Sequence, residues 1–224
     1  MRQLISKKKT IYLFLFFFLV SINNLSIINF SFPKIENVEI SGVSVEEIKE
    51  IEKAIKDLTL ENIFLINRLE IKKRITSINT IEQFKIFKSY PSTLKIDIKK
   101  TKYLARTKKD GVDYLVGSNG KLIKKDDIIY NLPYIFGDLN IKEFLKLKNK
   151  IDSSNFEFDQ ISNFYLYKSK RWDIKTLKGH TIKLPLKNVE NTLNLYVRLS
   201  KDEEFQNLMT IDFRQKDQII LNEK

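Results

Sequence analysis

Tyr90-Pro-Ser-Thr-Leu-Lys-Ile-Asp-Ile-Lys99 is a turn that runs into a strand. Tyr90-Pro91-Ser92 supplies the turn, and Leu94, Ile96 and Ile98 alternate with Lys95, Asp97 and Lys99, the period of a strand with one buried face. Upstream, Phe84 and Ile86 alternate with Lys85, so a second strand precedes the turn. Before that, Asn67 with Glu70 makes a helix-capping pattern, and Ile71, Ile75 and Ile78 continue the helix on one face. Ser44 with Glu47 makes a capping box, with Val43 and Ile48 placed as a hydrophobic staple. Ile48, Ile51, Ile55 and Leu58 then follow at helical spacing. Val38 and Ile40 flank Glu39 as a first strand, which Gly42 breaks. The order is strand, helix, helix, strand, strand. It predicts a unit over about 33–102 with both helices on one face of a three-stranded sheet. Ile48, Ile51 and Ile55 should face Val38, Ile40, Leu94, Ile96 or Ile98.

The part over 103–224 reads as strands with two helices. Tyr114-Leu-Val116 and Lys121-Leu-Ile123 flank Asn119-Gly120, a strong hairpin signal. Leu132-Pro133 leads to Gly137, and Asn140 with Glu143 can cap a helix carrying Ile141, Phe144, Leu145 and Ile151. Phe164–Tyr167, Trp172–Leu177 and Thr181–Leu184 read as strands, with Lys178-Gly179 as a turn. A helix from about Asn188 to Leu199 puts Val189, Leu193, Tyr196 and Leu199 on one side. Met209–Phe213 and Gln218–Leu221 read as a terminal hairpin turning at Lys216-Asp217. Overall the pattern is α+β.

The other end of the chain is basic, then apolar. Arg2, Lys7, Lys8 and Lys9 precede an apolar stretch from about Ile11 to Phe30, and no acidic residue comes before Glu36. A run of about 20 apolar residues is long enough to cross a bilayer as a helix, and the basic flank favours a cytoplasmic start. The sequence therefore predicts a cytoplasmic tail over 1–9 and a transmembrane signal anchor over 10–32, with the remainder outside. A cleavable signal peptide built on Ile11–Val20 is the alternative, but Ser-Ile-Asn-Asn follows where a small-x-small site is needed. Asn23 and Asn24 weaken the span and suit the outer interface.

Composition narrows the chemistry. The 224 residues contain no cysteine and one histidine, and carry a net charge of +12. No disulfide, thiol catalysis or cysteine metal site is possible. The basic excess reads either as attraction to an anionic surface or as scattered, solvated lysines, and the scatter favours the second. His180 follows Gly179 in a turn and reads as an exposed turn residue. No Gly-x-Ser-x-Gly elbow accompanies it, and with one histidine and no cysteine only carboxylates remain as metal ligands. Asp126-Asp127 reads as a solvated pair on a loop. Lys168-Ser-Lys170-Arg171 beside Trp172 is basic, but the predicted export argues against nucleic acid, and Trp172 reads as a core anchor. Gly117, Gly120 and Gly137 suit turns and form no phosphate loop. No residue set supports an enzyme, a cofactor or a small-molecule substrate. The terminal segment Gln218–Leu221 reads two ways: as an open edge able to accept an added strand, or as an ordinary last strand shielded by Asn222, Glu223 and Lys224.

Several stretches together carry a resemblance. Val38-Glu-Ile-Ser-Gly42 with its capped helix, Asn62-Ile-Phe-Leu-Ile-Asn67 and Ser89-Tyr-Pro-Ser-Thr-Leu-Lys-Ile96 look like a POTRA domain, and more specifically resemble the FtsQ/DivIB family of bacterial cell-division proteins. Asp113-Tyr-Leu-Val with Asn119-Gly120, Leu132-Pro133 with Gly137, Lys170-Arg-Trp-Asp173, Leu184-Pro185 and Ile211-Asp-Phe-Arg214 follow in the order that family shows. The chain departs from the family at the junction of the two parts, with Lys100 and Tyr103 where an acidic residue and a proline are common. The resemblance implies a non-enzymatic, single-pass protein of the inner membrane, bulk periplasmic, at the division septum. It also implies partners of the FtsB and FtsL type, joined by strand addition at the C-terminal edge, with no nucleic acid. The residues so assigned are Gln218, Ile219, Ile220 and Leu221, flanked by Arg214, Gln215 and Asp217, with Arg171 contacting an acidic partner segment. A membrane-anchored POTRA module serving export or assembly of outer-membrane proteins is the alternative, and a periplasmic enzyme a third reading.

Overall fold

A computed structural model describes residues 7–22, 33–124, 131–215 and 218–223. Ordered along the chain, the described elements are α1 (Lys7–Ile22), β1 (Asn37–Ser41), α2 (Val45–Ile55), α3 (Arg68–Ser77), β2 (Ile81–Ser89), β3 (Thr93–Lys100), β4 (Tyr103–Lys109), β5 (Val112–Gly117) and β6 (Leu122–Lys124). There follow β7 (Tyr134–Phe136), α4 (Ile141–Asp152), β8 (Ile161–Leu166), β9 (Trp172–Thr176), β10 (Thr181–Lys183), α5 (Val189–Leu199), β11 (Leu208–Asp212) and β12 (Ile220–Glu223).

α1 is a 16-residue helix whose apolar side chains from Ile11 to Val20 are exposed. No helix among the described residues is long and apolar enough to cross a membrane. Residues 23–32 of the expected span, including Asn23 and Asn24, lie outside the described residues, as do Asp126, Asp127, Lys216 and Asp217.

The first sheet has the order β1-β3-β2, with β1 parallel and β2 antiparallel to the central β3. Leu94, Ile96 and Ile98 of β3 join Ile51 and Ile55 of α2 and Ile71 and Ile75 of α3 in one apolar core, so both helices cover one face. Val38 and Ile40 pack partly buried against it, and Ile48 is half-buried. The helix starts follow from their caps. Ser44 donates its N–H to Glu47 at 2.9 Å, and Asn67 accepts from the N–H of Leu69 at 3.0 Å. Lys100, the departing residue at the junction, reaches back to Glu47 at 2.8 Å. Burial works to raise the Glu47 carboxyl, but the Lys100 ammonium and the Ser44 N–H outweigh it and hold the carboxyl below the ordinary glutamate value.

Two side chains fall outside the helices that their spacing predicted. Leu58 is buried from a short 3-10 turn over Leu58–Leu60, because α2 ends at Ile55. Ile78 caps α3 in extended backbone.

The second sheet runs β12-β11-β10-β9-β8-β7-β4-β5-β6. α4 and α5 supply the core on one face: Phe144, Leu147 and Ile151 from α4 and Val189, Leu193 and Tyr196 from α5 pack with Phe164, Trp172, Ile174 and Ile182 of the strands. Trp172 is a core residue, as its strand position predicts. His180 is not an exposed turn residue. It is 4% exposed and shares a hydrogen bond of 2.8 Å with the Tyr196 hydroxyl of α5, which packs over the β9–β10 turn.

The two sheets meet at Thr101 and at the turn after β5. The Asn119 amide donates to the carbonyls of Asn79 (2.7 Å) and Ile81 (3.0 Å), and Ser118 Oγ donates to Glu82 at 2.8 Å. Asn79 returns a bond to the Leu122 carbonyl at 3.1 Å, and the Lys121 ammonium grips the Thr76 carbonyl. The Asn119-Gly120 turn is thus also the fastener between the modules.

Candidate functional site

The expected site residues that are described lie at the β12 edge and on the face of the second sheet opposite α4 and α5. β12 pairs antiparallel with β11 through Asp212↔Ile220, Ile211↔Leu221 and Thr210↔Asn222, and it stands last in the strand order. Its other side has no strand neighbour among the described residues. The strand occupies Ile220–Glu223 instead of Gln218–Leu221. Gln218 and Ile219 therefore precede it, and Asn222 takes a ladder position opposite Thr210. The slip has a physical reason. Strand bounds are set by the neighbour, and β11 ends at Asp212, so its partner begins at Ile220. Ile219, Ile220 and Leu221 are all substantially exposed, so neither face of this edge is absorbed by the core.

Arg171 and Arg214 both act on Asp173, on the sheet face opposite α4 and α5. Tyr165↔Asp173, Asp173↔Lys183, Lys183↔Asp212 and Asp212↔Ile220 are successive register pairs, so these side chains form one row across five strands. Asp173 is 1% exposed. Arg171 lies 3.4 Å from its carboxylate and over the Tyr167 ring at 4.5 Å. Burial pushes the Asp173 carboxyl above the ordinary aspartate value, against the pull of Arg171 and Arg214. Asp212 has the opposite balance. Arg214 donates Nε to it at 2.7 Å and its own N–H at 3.0 Å, and Nη2 bonds the second oxygen. Those bonds outweigh burial and hold the Asp212 carboxyl below its usual range. Gln215 is exposed just beyond Arg214, and Asp217 lies outside the described residues.

Asp173, Asp212 and Tyr167 were not among the expected site residues. The signal for them is a mirrored pair, Arg171-Trp-Asp173 and Asp212-Phe-Arg214. Residues two apart in extended chain share a face, so each arginine is placed beside its aspartate while Trp172 and Phe213 point into the core. Among the described residues no cluster of histidine or carboxylates could hold a metal ion. Among the described residues the outer edge of β12 has no strand partner; Arg214 follows the neighbouring β11 and Arg171 precedes β9, each paired with an aspartate.

A family model for the "Cell division protein FtsQ/DivIB, C-terminal" region matches residues 105–214, and one for the "POTRA domain, FtsQ-type" matches residues 33–100. The chain belongs to the FtsQ/DivIB family of cell-division proteins. Among curated FtsQ/DivIB relatives, the cell division protein FtsQ of Rickettsia bellii (strain RML369-C) is 26% identical over 186 residues, covering 82% of this chain and 70% of that protein. The cell division protein DivIB of Clostridium botulinum (strain Loch Maree / Type A3) is 33% identical over 141 residues, covering 62% of this chain and 53% of that protein. The chain thus spans about half the length of the DivIB relatives it matches. The solved extracytoplasmic domain of the trans isomer of DivIB from Geobacillus stearothermophilus aligns with a TM-score of 0.35 and 11% identity over 47% of this chain and 95% of that one. At that level the likeness transfers no residue-level feature between FtsQ/DivIB members.

Proposed function

We infer that this FtsQ/DivIB protein is a non-enzymatic scaffold of the division machinery, anchored in the inner membrane by one helix. In this reading 1–9 is a cytoplasmic tail, 10–32 the anchor, 33–102 the POTRA domain and 103–224 the partner-binding β domain, the last two outside the cytoplasm at the septum. Small FtsB- and FtsL-type partners join by adding a strand to β12, and the protein connects them to septal wall synthesis. The observation that carries this is that, among the described residues, β12 pairs only with β11. Arg214, just after the neighbouring β11, and Arg171, just before β9, favour an acidic partner segment, and the exposed apolar side chains of α1 favour the anchor. The match of both halves of the chain to FtsQ-type family models favours this reading over a role in outer-membrane protein assembly.

Proline substitution tests the edge. Consecutive strand residues send their N–H groups to opposite sides, so one of Ile220→Pro and Leu221→Pro removes an outward N–H and leaves the β11 ladder intact. That variant keeps its cooperative thermal unfolding and fails to co-purify with the partners. Retention of the partners by both variants places the binding surface elsewhere. For the topology, a reporter fused after Lys224 is expected to work only outside the cytoplasm, and cytoplasmic activity would overturn the anchor. Depletion of the protein is expected to give filamentous cells.

A further inference from the structure

Large apolar side chains collect in water at the end of the first sheet where the chain enters it. Leu60, Phe64, Leu65 and Tyr90 are 66%, 48%, 73% and 59% exposed. The exposure is built in. Asn62 Oδ1 accepts from the N–H groups of Phe64 (3.1 Å) and Leu65 (2.9 Å), a turn that sends Ile63 and Ile66 into the core and leaves Phe64 and Leu65 outside. Phe64 then stacks on Tyr90 at 4.8 Å. The Lys88 ammonium reaches the carbonyls of Phe64 (3.3 Å) and Ile66 (3.5 Å), fixing this turn to the end of β2. A clustered set of exposed large apolar residues marks a surface that meets something apolar.

The path of the chain says what that is. Lys34 bridges to Asn62, and the Ile35 N–H donates to the Glu61 carbonyl at 3.2 Å, so the patch surrounds the point where the backbone arrives from α1. The apolar stretch of the sequence runs to about Phe30, four residues before Lys34. Four fully extended residues span at most about 14 Å. The headgroup layer on one side of a bilayer is itself about 5–7 Å deep. The tether therefore keeps this end of the module at the membrane surface. Tyrosine, phenylalanine and leucine beside a lysine are the side chains that settle at that interface.

We propose that the Leu60, Phe64, Leu65 and Tyr90 end of the first module sits in the interfacial layer of the bilayer that holds the anchor. The proposal rests on the anchored reading above, and its test separates the two. The chain has no cysteine, so single nitroxide labels can be placed without background. Full-length Phe16→Cys, Leu65→Cys, Tyr90→Cys and Asp110→Cys variants are labelled and reconstituted in phosphatidylethanolamine–phosphatidylglycerol vesicles. Relaxation by oxygen is compared with relaxation by a water-soluble nickel chelate. Asp110 is the reference, because it lies at the tip of the β4–β5 hairpin, the end away from the Ser118–Asn119 junction. The expected result is an oxygen-to-nickel ratio severalfold higher at Leu65 and Tyr90 than at Asp110, though below that at Phe16. A lipid-immersed Phe16 with Leu65 and Tyr90 equal to Asp110 overturns the surface contact and leaves the anchor standing. Aqueous values at all four sites overturn both. Leu65 and Tyr90 are exposed, so these substitutions leave the core untouched.

Discussion

Gly42 ends β1 with a φ of +87°, and a Cβ placed there would lie 1.9 Å from the Ile98 carbonyl oxygen. Gly42→Ala is therefore expected to cost on the order of 1–3 kcal/mol from the backbone conformation alone, with the collision added, read as a lowered thermal midpoint. The two buried aspartates on the sheet face opposite α4 and α5 make a pH prediction with opposite signs. The Asp212 carboxyl is depressed by Arg214, so its contribution is present above the unfolded-state value and is lost as pH falls through the folded one. The Asp173 carboxyl is raised by burial, so its contribution is present below the unfolded-state value and is lost as pH rises through the folded one. Asp212→Asn should cost about 1.5–3 kcal/mol near neutral pH and flatten the acid limb of the stability curve, while Asp173→Asn should flatten the rise on acidification. Urea unfolding across the acidic range checks both. Such residues also show where a sequence is opaque. His180 reads as a turn residue because local spacing carries no record of α5, whose Tyr196 closes over it.

At the scale of elements, caps and periodicity were the most legible features, because they act within a few residues. Asn140 accepts from the N–H groups of Lys142 (3.1 Å) and Glu143 (3.3 Å), and α4 begins where that pattern places it. The Leu94–Ile96–Ile98 alternation became the central strand of the first sheet for the same reason. Helix ends were less legible: the spacing of Leu58 and Ile78 continues a stripe that the backbone does not, since a core can be reached from a 3-10 turn or an extended residue as well. The last strand slipped because apolar residues drew the reading to Gln218, whereas the register with β11 recruits polar Asn222. α2 offers a direct contrast. Ile51 is 1% exposed, so Ile51→Ala should destabilise by about 2–5 kcal/mol, while Val45→Ala on the open side of the same helix should stay within about 0.5 kcal/mol. Chemical denaturation of the two variants measures the difference.

At the scale of the whole molecule, the junction between the sheets was the least legible part. Asn119 and Gly120 announce a hairpin, but the carbonyls that Asn119 binds belong to Asn79 and Ile81, some forty residues earlier, and nothing local predicts that reach. Asn119→Ala leaves those carbonyls without their donor and should cost about 1–3 kcal/mol. Faster hydrogen exchange is expected at Ser118 and at position 119, whose N–H groups bond the Lys102 carbonyl and Thr101 Oγ1 across the junction, with β8–β11 unchanged. Uniform loss of protection would instead mean that the two sheets unfold as one unit. The fastener sits beside β6, and β12 closes the other margin of the same sheet. The nine described strands leave eight spacings of about 4.8 Å, so the two margins stand roughly 38 Å apart measured across the strands. The second module is in that sense a gauge block: whatever engages its free margin is held off from the first module by a length fixed in strand count, and adding or deleting a hairpin would reset that stand-off in steps of about two strand widths.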